Sequence, residues 1–146
     1  MKALKGKKLV TAESCTGGGI GAAITAVPGA SKVYVGGVVS YTNAVKHKVL
    51  GVEQAVLDKY GPVSAPVAGA MASGVRELME ADVAVSVTGL AGPGGDDFGN
   101  PVGTVCIGYA DRRQRLAKQY RFYGDRDEIR EQAVRAALEL VLEVNS

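Results

Sequence analysis

No segment restricts the fold more than the run from Asp82 to Ala91, which contains VAVSVTGLA and is closed by Gly92-Pro93-Gly94-Gly95. A short, valine-rich apolar run bounded by turn residues reads as a buried strand. Around it, strand-like and helix-like segments alternate. Lys8 to Glu13 reads as a short strand, and the turn Ser14 to Gly19 feeds a helix that reaches about Val27, where Pro28-Gly29 stops it. Val33 to Tyr41, rich in Val and Gly, suits a buried strand closely approached by another backbone. A helical stretch from Asn43 and another from Glu53 to Tyr60 follow. Ser64 fits the cap of a longer helix to about Glu80, with Pro66 in its first turn.

Gly92 to Pro101 is a loop by composition, and Val102 to Ala110 returns as a strand. Asp111-Arg112-Arg113-Gln114 makes a hairpin into Leu116 to Tyr123. Asp125 and Glu128 have capping-box spacing, and Ile129, Ala133, Ala136, Leu140 and Val144 recur at helical spacing behind them. The fold class that follows is α/β, a three-layer α/β/α single domain over residues 1–146. Its sheet is mixed and mainly parallel, parallel first and antiparallel after the hairpin, and a C-terminal helix closes it.

Composition narrows the function. With 47% hydrophobic and 22% charged residues, a chain of 146 residues can pack a core. The net charge of +2 is small, and Lys and Arg are dispersed among acids. No nucleic-acid partner is expected on that basis, nor from a chain with 5% aromatic residues and no tryptophan. No apolar run approaches the roughly 20 residues that cross a bilayer, so no membrane partner is expected either. The basic start MKALKGKKLV carries no signal-type apolar segment. Cys15 and Cys106 suggest no disulfide framework, and the expected location is cytoplasmic.

Four places can carry chemistry. In Thr11 to Gly18, hydroxyls and glycines lie between a strand and a helix, where exposed backbone N–H groups suit a phosphate, a carboxylate or a developing oxyanion. A simple capped turn explains the same pattern. Cys15 has no base at hand, since His47 is the sole histidine and is flanked by lysines, so Cys15 reads as a packing residue. The two cannot make a zinc site of recognised spacing, and no metal is expected. Ser31 with the segment Ser40 to Lys46 could hold a Ser–Lys dyad, provided burial and neighbouring cations depress the lysine. A surface lysine on a helix is the plainer alternative. Thr88 and Gly89 fall at the carboxyl end of the apolar strand, where open α/β sheets place their sites. Arg126, a cation in a helix's first turn, opposes the dipole there and could instead face a ligand anion.

In combination, TAESCTGG, GGVVSYTNAVKHKVLGV, VSAPVA, SVTGLAGPGG with NPVGTV, and YGDRD resemble the CinA carboxy-terminal domain family, over nearly the whole chain from about Leu9. Members of that family include nicotinamide mononucleotide amidohydrolases. The resemblance implies a Ser/Lys amidohydrolase without metal or organic cofactor. It would convert nicotinamide mononucleotide to nicotinate mononucleotide and ammonia in pyridine nucleotide salvage. It also implies that Lys46 is the base, with Tyr41 and Thr88 around it and Arg126 on the 5′-phosphate. The nucleophile is Ser14, in the strongest motif, or Ser31, matching the family's serine after a Pro-Gly turn. The reading favours Ser31, because this leaves the Ser14–Gly18 turn free for an anionic part of the substrate or the oxyanion. Thr16, Gly17, Gly18 and Gly89 are the candidate binding residues beside Arg126.

Members commonly begin with a longer helix before the first strand, and many carry a larger amino-terminal domain. A stand-alone form with a short lead is therefore expected, and a homo-oligomer, dimer or higher, is the expected assembly. Two other functions compete with the amidohydrolase. One is a catalytically inactive nucleotide-binding regulatory module. The other is a metal-dependent phosphohydrolase using Asp96, Asp97 and Asp125, though Asp96 and Asp97 read as solvated loop residues.

Overall fold

The computed structural model describes residues 2–146. Five strands form one sheet in the order β2-β1-β3-β4-β5. They are β1 (Leu9–Glu13), β2 (Tyr34–Val39), β3 (Val83–Gly89), β4 (Thr104–Ala110) and β5 (Arg115–Arg121). β1 pairs parallel with both β2 and β3, whereas β3–β4 and β4–β5 are antiparallel. Four of the five strands therefore share a direction, as expected of a mixed sheet. Antiparallel pairing begins one strand earlier than the hairpin, because β4 returns directly beside β3.

Alternation along the strands sorts the helices into two layers. Val83, Val85 and Val87 of β3 and Val105, Ile107 and Tyr109 of β4 join one core cluster. Helices α1 (Gly19–Thr25) and α5 (Arg126–Val144) cover it through Ile20, Ile24, Ile129, Ala133, Ala137 and Leu140. Each fully buried Ile, Leu or Val is worth about 1.5–3 kcal/mol, so these few residues largely hold α5 down. The opposite face presents Val10, Ala12, Ala84 and Ala110 to α3 (Gln54–Tyr60) and α4 (Ala65–Leu78). Small residues there let α4 lie close. A Cβ at Gly108 would collide with the Ala68 carbonyl, and Ser86 Oγ donates to that same carbonyl at 2.6 Å.

The expected caps are present. Ser64 accepts from Val67 N at the start of α4, and Asp125 with Glu128 forms a capping box on α5. Val144 is half-buried at the end of its helical stripe. β2 departs from expectation. It is shorter than Val33 to Tyr41, and its burial alternates between half-buried and exposed. The reason is position, since β2 is the sheet's edge while β1 and β3 take the centre. The close backbone approach expected of its glycines does occur, because a Cβ at Gly37 would lie 2.7 Å from Thr11 O.

Candidate active site

β1, β2 and β3 run parallel and end together at Glu13, Val39 and Gly89, so the chain segments that follow them line one crevice. After β1, Ser14 N donates to Val87 O at 3.0 Å, which fixes Ser14 against the end of β3. After β2, Ser40 N donates to Glu13 O at 2.7 Å, and Thr42 caps the short helix α2 (Asn43–Lys48) by accepting from Val45 N. Lys46 falls one turn into α2, with its stem buried and its amine turned back to the strand ends.

There Lys46 Nζ donates to Ser14 Oγ at 3.1 Å and to the Tyr41 carbonyl at 3.1 Å. Ser14 Oγ also lies 3.4 Å from that carbonyl. Lys46 is 2% exposed, and burial lowers its pKa from the ordinary 10.5 to about 8, against a smaller opposing pull from Cys15. A lysine in that range supplies neutral amine near neutral pH. In that form Nζ can accept the Ser14 proton while still donating to Tyr41 O.

The pair borders a cavity of about 300 Å³ whose wall also includes Tyr41, Thr88, Gly89 and Arg126. Thr88 is buried and donates to Pro62 O at 2.7 Å, so it secures the wall. Tyr41 meets Lys46 through its carbonyl, while its side chain stays largely exposed. Arg126 Nη1 donates to Gly92 O at 2.6 Å and brings the start of α5 to the rim. Cys15 lies in the wall with a buried thiol pushed up to about 11, as suits a packing residue.

Ser31 is not brought to Lys46. It is exposed on the 3₁₀ turn Ala30–Lys32 that precedes β2, at the amino end of a strand whose carboxyl end leads to the site. A six-residue strand separates the two ends by about 20 Å. Thr16, Gly17 and Gly18 are not brought to the cavity either. The anion at their turn is internal, because the Glu13 carboxylate accepts from Thr16 Oγ1 at 2.6 Å, Ile20 N at 2.7 Å and Gly21 N at 3.1 Å. The Thr16 hydroxyl and the first backbone donors of α1 are thus occupied by Glu13.

Sequence reading missed Glu13 and also Arg130, whose Nε donates to Cys15 O at 3.0 Å and Nη2 to Thr16 O at 3.3 Å. A signal for Glu13 existed, since an acid ends an otherwise apolar strand just before a glycine-capped helix. Arg130 gave none, being one of many charges on α5. Of the three aspartates weighed for a metal, Asp97 is exposed and the other two are used locally. Asp96 accepts from Phe98 N, Asn100 N and Asn100 Nδ2, and Asp125 is the α5 cap. Among the described residues, no three His, Cys, Asp or Glu side chains gather as a metal site.

The topology and the buried pair define an α/β domain with its site at the carboxyl ends of parallel strands, furnished with a serine and a lysine in contact. Known proteins supply the family. The chain belongs to the CinA C-terminal domain family, whose model matches residues 2–145. It is 53% identical over 107 residues to a CinA-like protein of Synechococcus sp., covering 73% of this chain and 26% of the relative. It is 44% identical over 143 residues to a CinA-like protein of Mycolicibacterium paratuberculosis, covering 94% of this chain and 33% of the relative. The chain thus spans about a quarter to a third of the length of these curated relatives.

Solved structures agree with the fold. A CinA superfamily protein from Klebsiella pneumoniae superposes with a TM-score of 0.95 at 37% identity, over 99% of this chain and 91% of that one. A competence/damage inducible protein, CihA, from Agrobacterium tumefaciens gives 0.91 at 43% identity, over 97% and 87%. No helix among the described residues is long and apolar enough to cross a membrane.

Proposed function

We propose that this domain hydrolyses the carboxamide of nicotinamide mononucleotide, giving nicotinate mononucleotide and ammonia, with Ser14 as nucleophile and Lys46 as its base. The observation that carries the reading is the 3.1 Å contact between Ser14 Oγ and a buried Lys46 Nζ held at a pKa of about 8. Neutral Lys46 takes the Ser14 proton as Oγ attacks the carboxamide carbon. The Tyr41 carbonyl keeps the amine oriented throughout. The resulting ammonium of Lys46 returns its proton to the leaving nitrogen, ammonia departs, and water hydrolyses the ester on Ser14.

The oxyanion needs donors, and Thr16 Oγ1, Ile20 N and Gly21 N at the start of α1 are already spent on Glu13. Ala91, Gly92 and Gly94 border the same cavity, and their backbone N–H groups donate in none of the hydrogen bonds among the described residues. They are the donors assigned here to the oxyanion. Arg126 uses Nη1 on Gly92 O, and its remaining guanidinium donors are assigned to the 5′-phosphate.

Ammonia release from nicotinamide mononucleotide tests the reading, run with and without a chelator and with phosphate detection alongside. Chelator-insensitive ammonia release, lost in Ser14→Ala and in Lys46→Ala, is expected. Phosphate release instead of ammonia, or full turnover by folded Ser14→Ala, would sink it.

A further inference from the structure

We propose that Glu13 is the positioning residue of the Ser14 nucleophile, an inference that rests on the reading of Ser14 given above. Glu13 is 2% exposed, and its carboxylate accepts three bonds at the start of α1, from Thr16 Oγ1, Ile20 N and Gly21 N. Buried carboxylates persist only when hydrogen-bonded or paired, and bonds to a charged acceptor are roughly twice as strong as neutral ones. This carboxylate therefore does for the turn what a bound anion does elsewhere.

The same residue fixes the other half of the dyad. Its backbone carbonyl accepts from Ser40 N at 2.7 Å, and Ser40 leads directly into Tyr41, whose carbonyl holds Lys46. Arg130 grips the turn from the far side through the Cys15 and Thr16 carbonyls. Ser14 is thus bracketed on both sides in the chain. One residue, Glu13, links the turn that carries the nucleophile to the segment that carries the base.

Glu13→Gln preserves shape but sets an NH₂ against the Gly21 N–H. Glu13→Ala removes every acceptor, and Thr16→Val removes one donor only. For each, kcat and KM on nicotinamide mononucleotide, the pH profile, a thermal melt and the rate of Ser14 phosphonylation by a fluorophosphonate are measured, the last per folded molecule by intact mass. Misplacement of a reacting atom by about 1 Å costs about a hundredfold in rate. The expected result is a loss of about tenfold in kcat and labelling rate for Glu13→Gln and about a hundredfold for Glu13→Ala, with Thr16→Val the mildest. KM should stay within about twofold, and the pH midpoint should stay near 8, because burial of Lys46 sets it.

Variants that melt lower yet label at the wild-type rate per folded molecule overturn the positioning role. If a variant does not fold, Thr16→Val carries the same comparison from the donor side. Wild-type protein that is not labelled at Ser14 overturns the nucleophile itself. That failure is read in the wild type and the other only in the variants, so the two are distinguishable.

Discussion

Burying an ammonium away from carboxylates costs free energy, and among the described residues no salt bridge reaches Lys46. The fall of its pKa from 10.5 to about 8 corresponds to about 3 kcal/mol. The sign follows from proton counting. Below pH 8 both folded and unfolded chains hold the proton, and the full cost of burial is present. Between 8 and 10.5 the unfolded chain binds more protons, so stability rises with pH until the cost is gone. Lys46→Met should therefore be inactive yet more stable than the parent below pH 8, by up to about 3 kcal/mol, with the gap closing toward pH 10.5. Urea melts of both proteins across that range check it, and a constant gap would contradict it. Wild-type turnover should rise with pH through about 8 as the amine becomes neutral. At the same scale, Ser14→Ala should abolish turnover while Ser31→Ala leaves it near wild type, because Ser31 sits at the opposite end of β2. A reversal in paired assays of the two variants would restore Ser31 as the nucleophile.

Among the elements, α5 shows how one local signal both caps a helix and sets a residue at the cavity rim. Asp125 and Glu128 satisfy two of its orphan N–H groups and hold Arg126 at the first helical position. Asp125→Ala should cost about 1 kcal/mol, or about 2–4 °C in Tm, and should also weaken substrate binding by loosening Arg126. A melt paired with KM measures both, and a Tm loss with unchanged KM would detach the cap from the site. Caps, turns and helical stripes of this kind were legible in the sequence because their information lies within a few residues. Strand order was not legible. The Val-Gly run of β2 reads as a buried strand, and only its pairing with β1 alone makes it an edge. The dyad was half legible for the same reason. Lys46 stood out, but its partner lies 32 residues away, where the β1–β2 crossover and the phase of α2 decide which serine it meets. Glycines also misled, since the turn that looks open to an anion is filled by a carboxylate from its own strand.

At the scale of the molecule, the cavity is a meeting of distant segments. The turn after β1 supplies Ser14, α2 supplies Lys46, the 89–94 segment supplies backbone, and α5 supplies Arg126. If Arg126 takes the phosphate, Arg126→Ala should raise KM for nicotinamide mononucleotide about ten- to a hundredfold and change turnover of nicotinamide riboside little. Steady-state kinetics on both substrates check it, and equal losses on the two would assign Arg126 to the wall instead. The family comparison fits this distributed construction, because the model matches from residue 2 to residue 145 and not one motif alone.

The bond between Arg130 and the carbonyls of Cys15 and Thr16 spans 115 and 114 residues of chain. A ribosome makes the serine turn first and the arginine that clamps it more than a hundred residues later. During synthesis the turn therefore waits, unclamped, until α5 emerges and docks. Arg126, which completes the rim of the cavity, arrives on that same helix. The nascent chain thus carries Ser14 through more than a hundred further residues of translation without the clamp on its turn, and the clamp and the cavity rim come in a single later step.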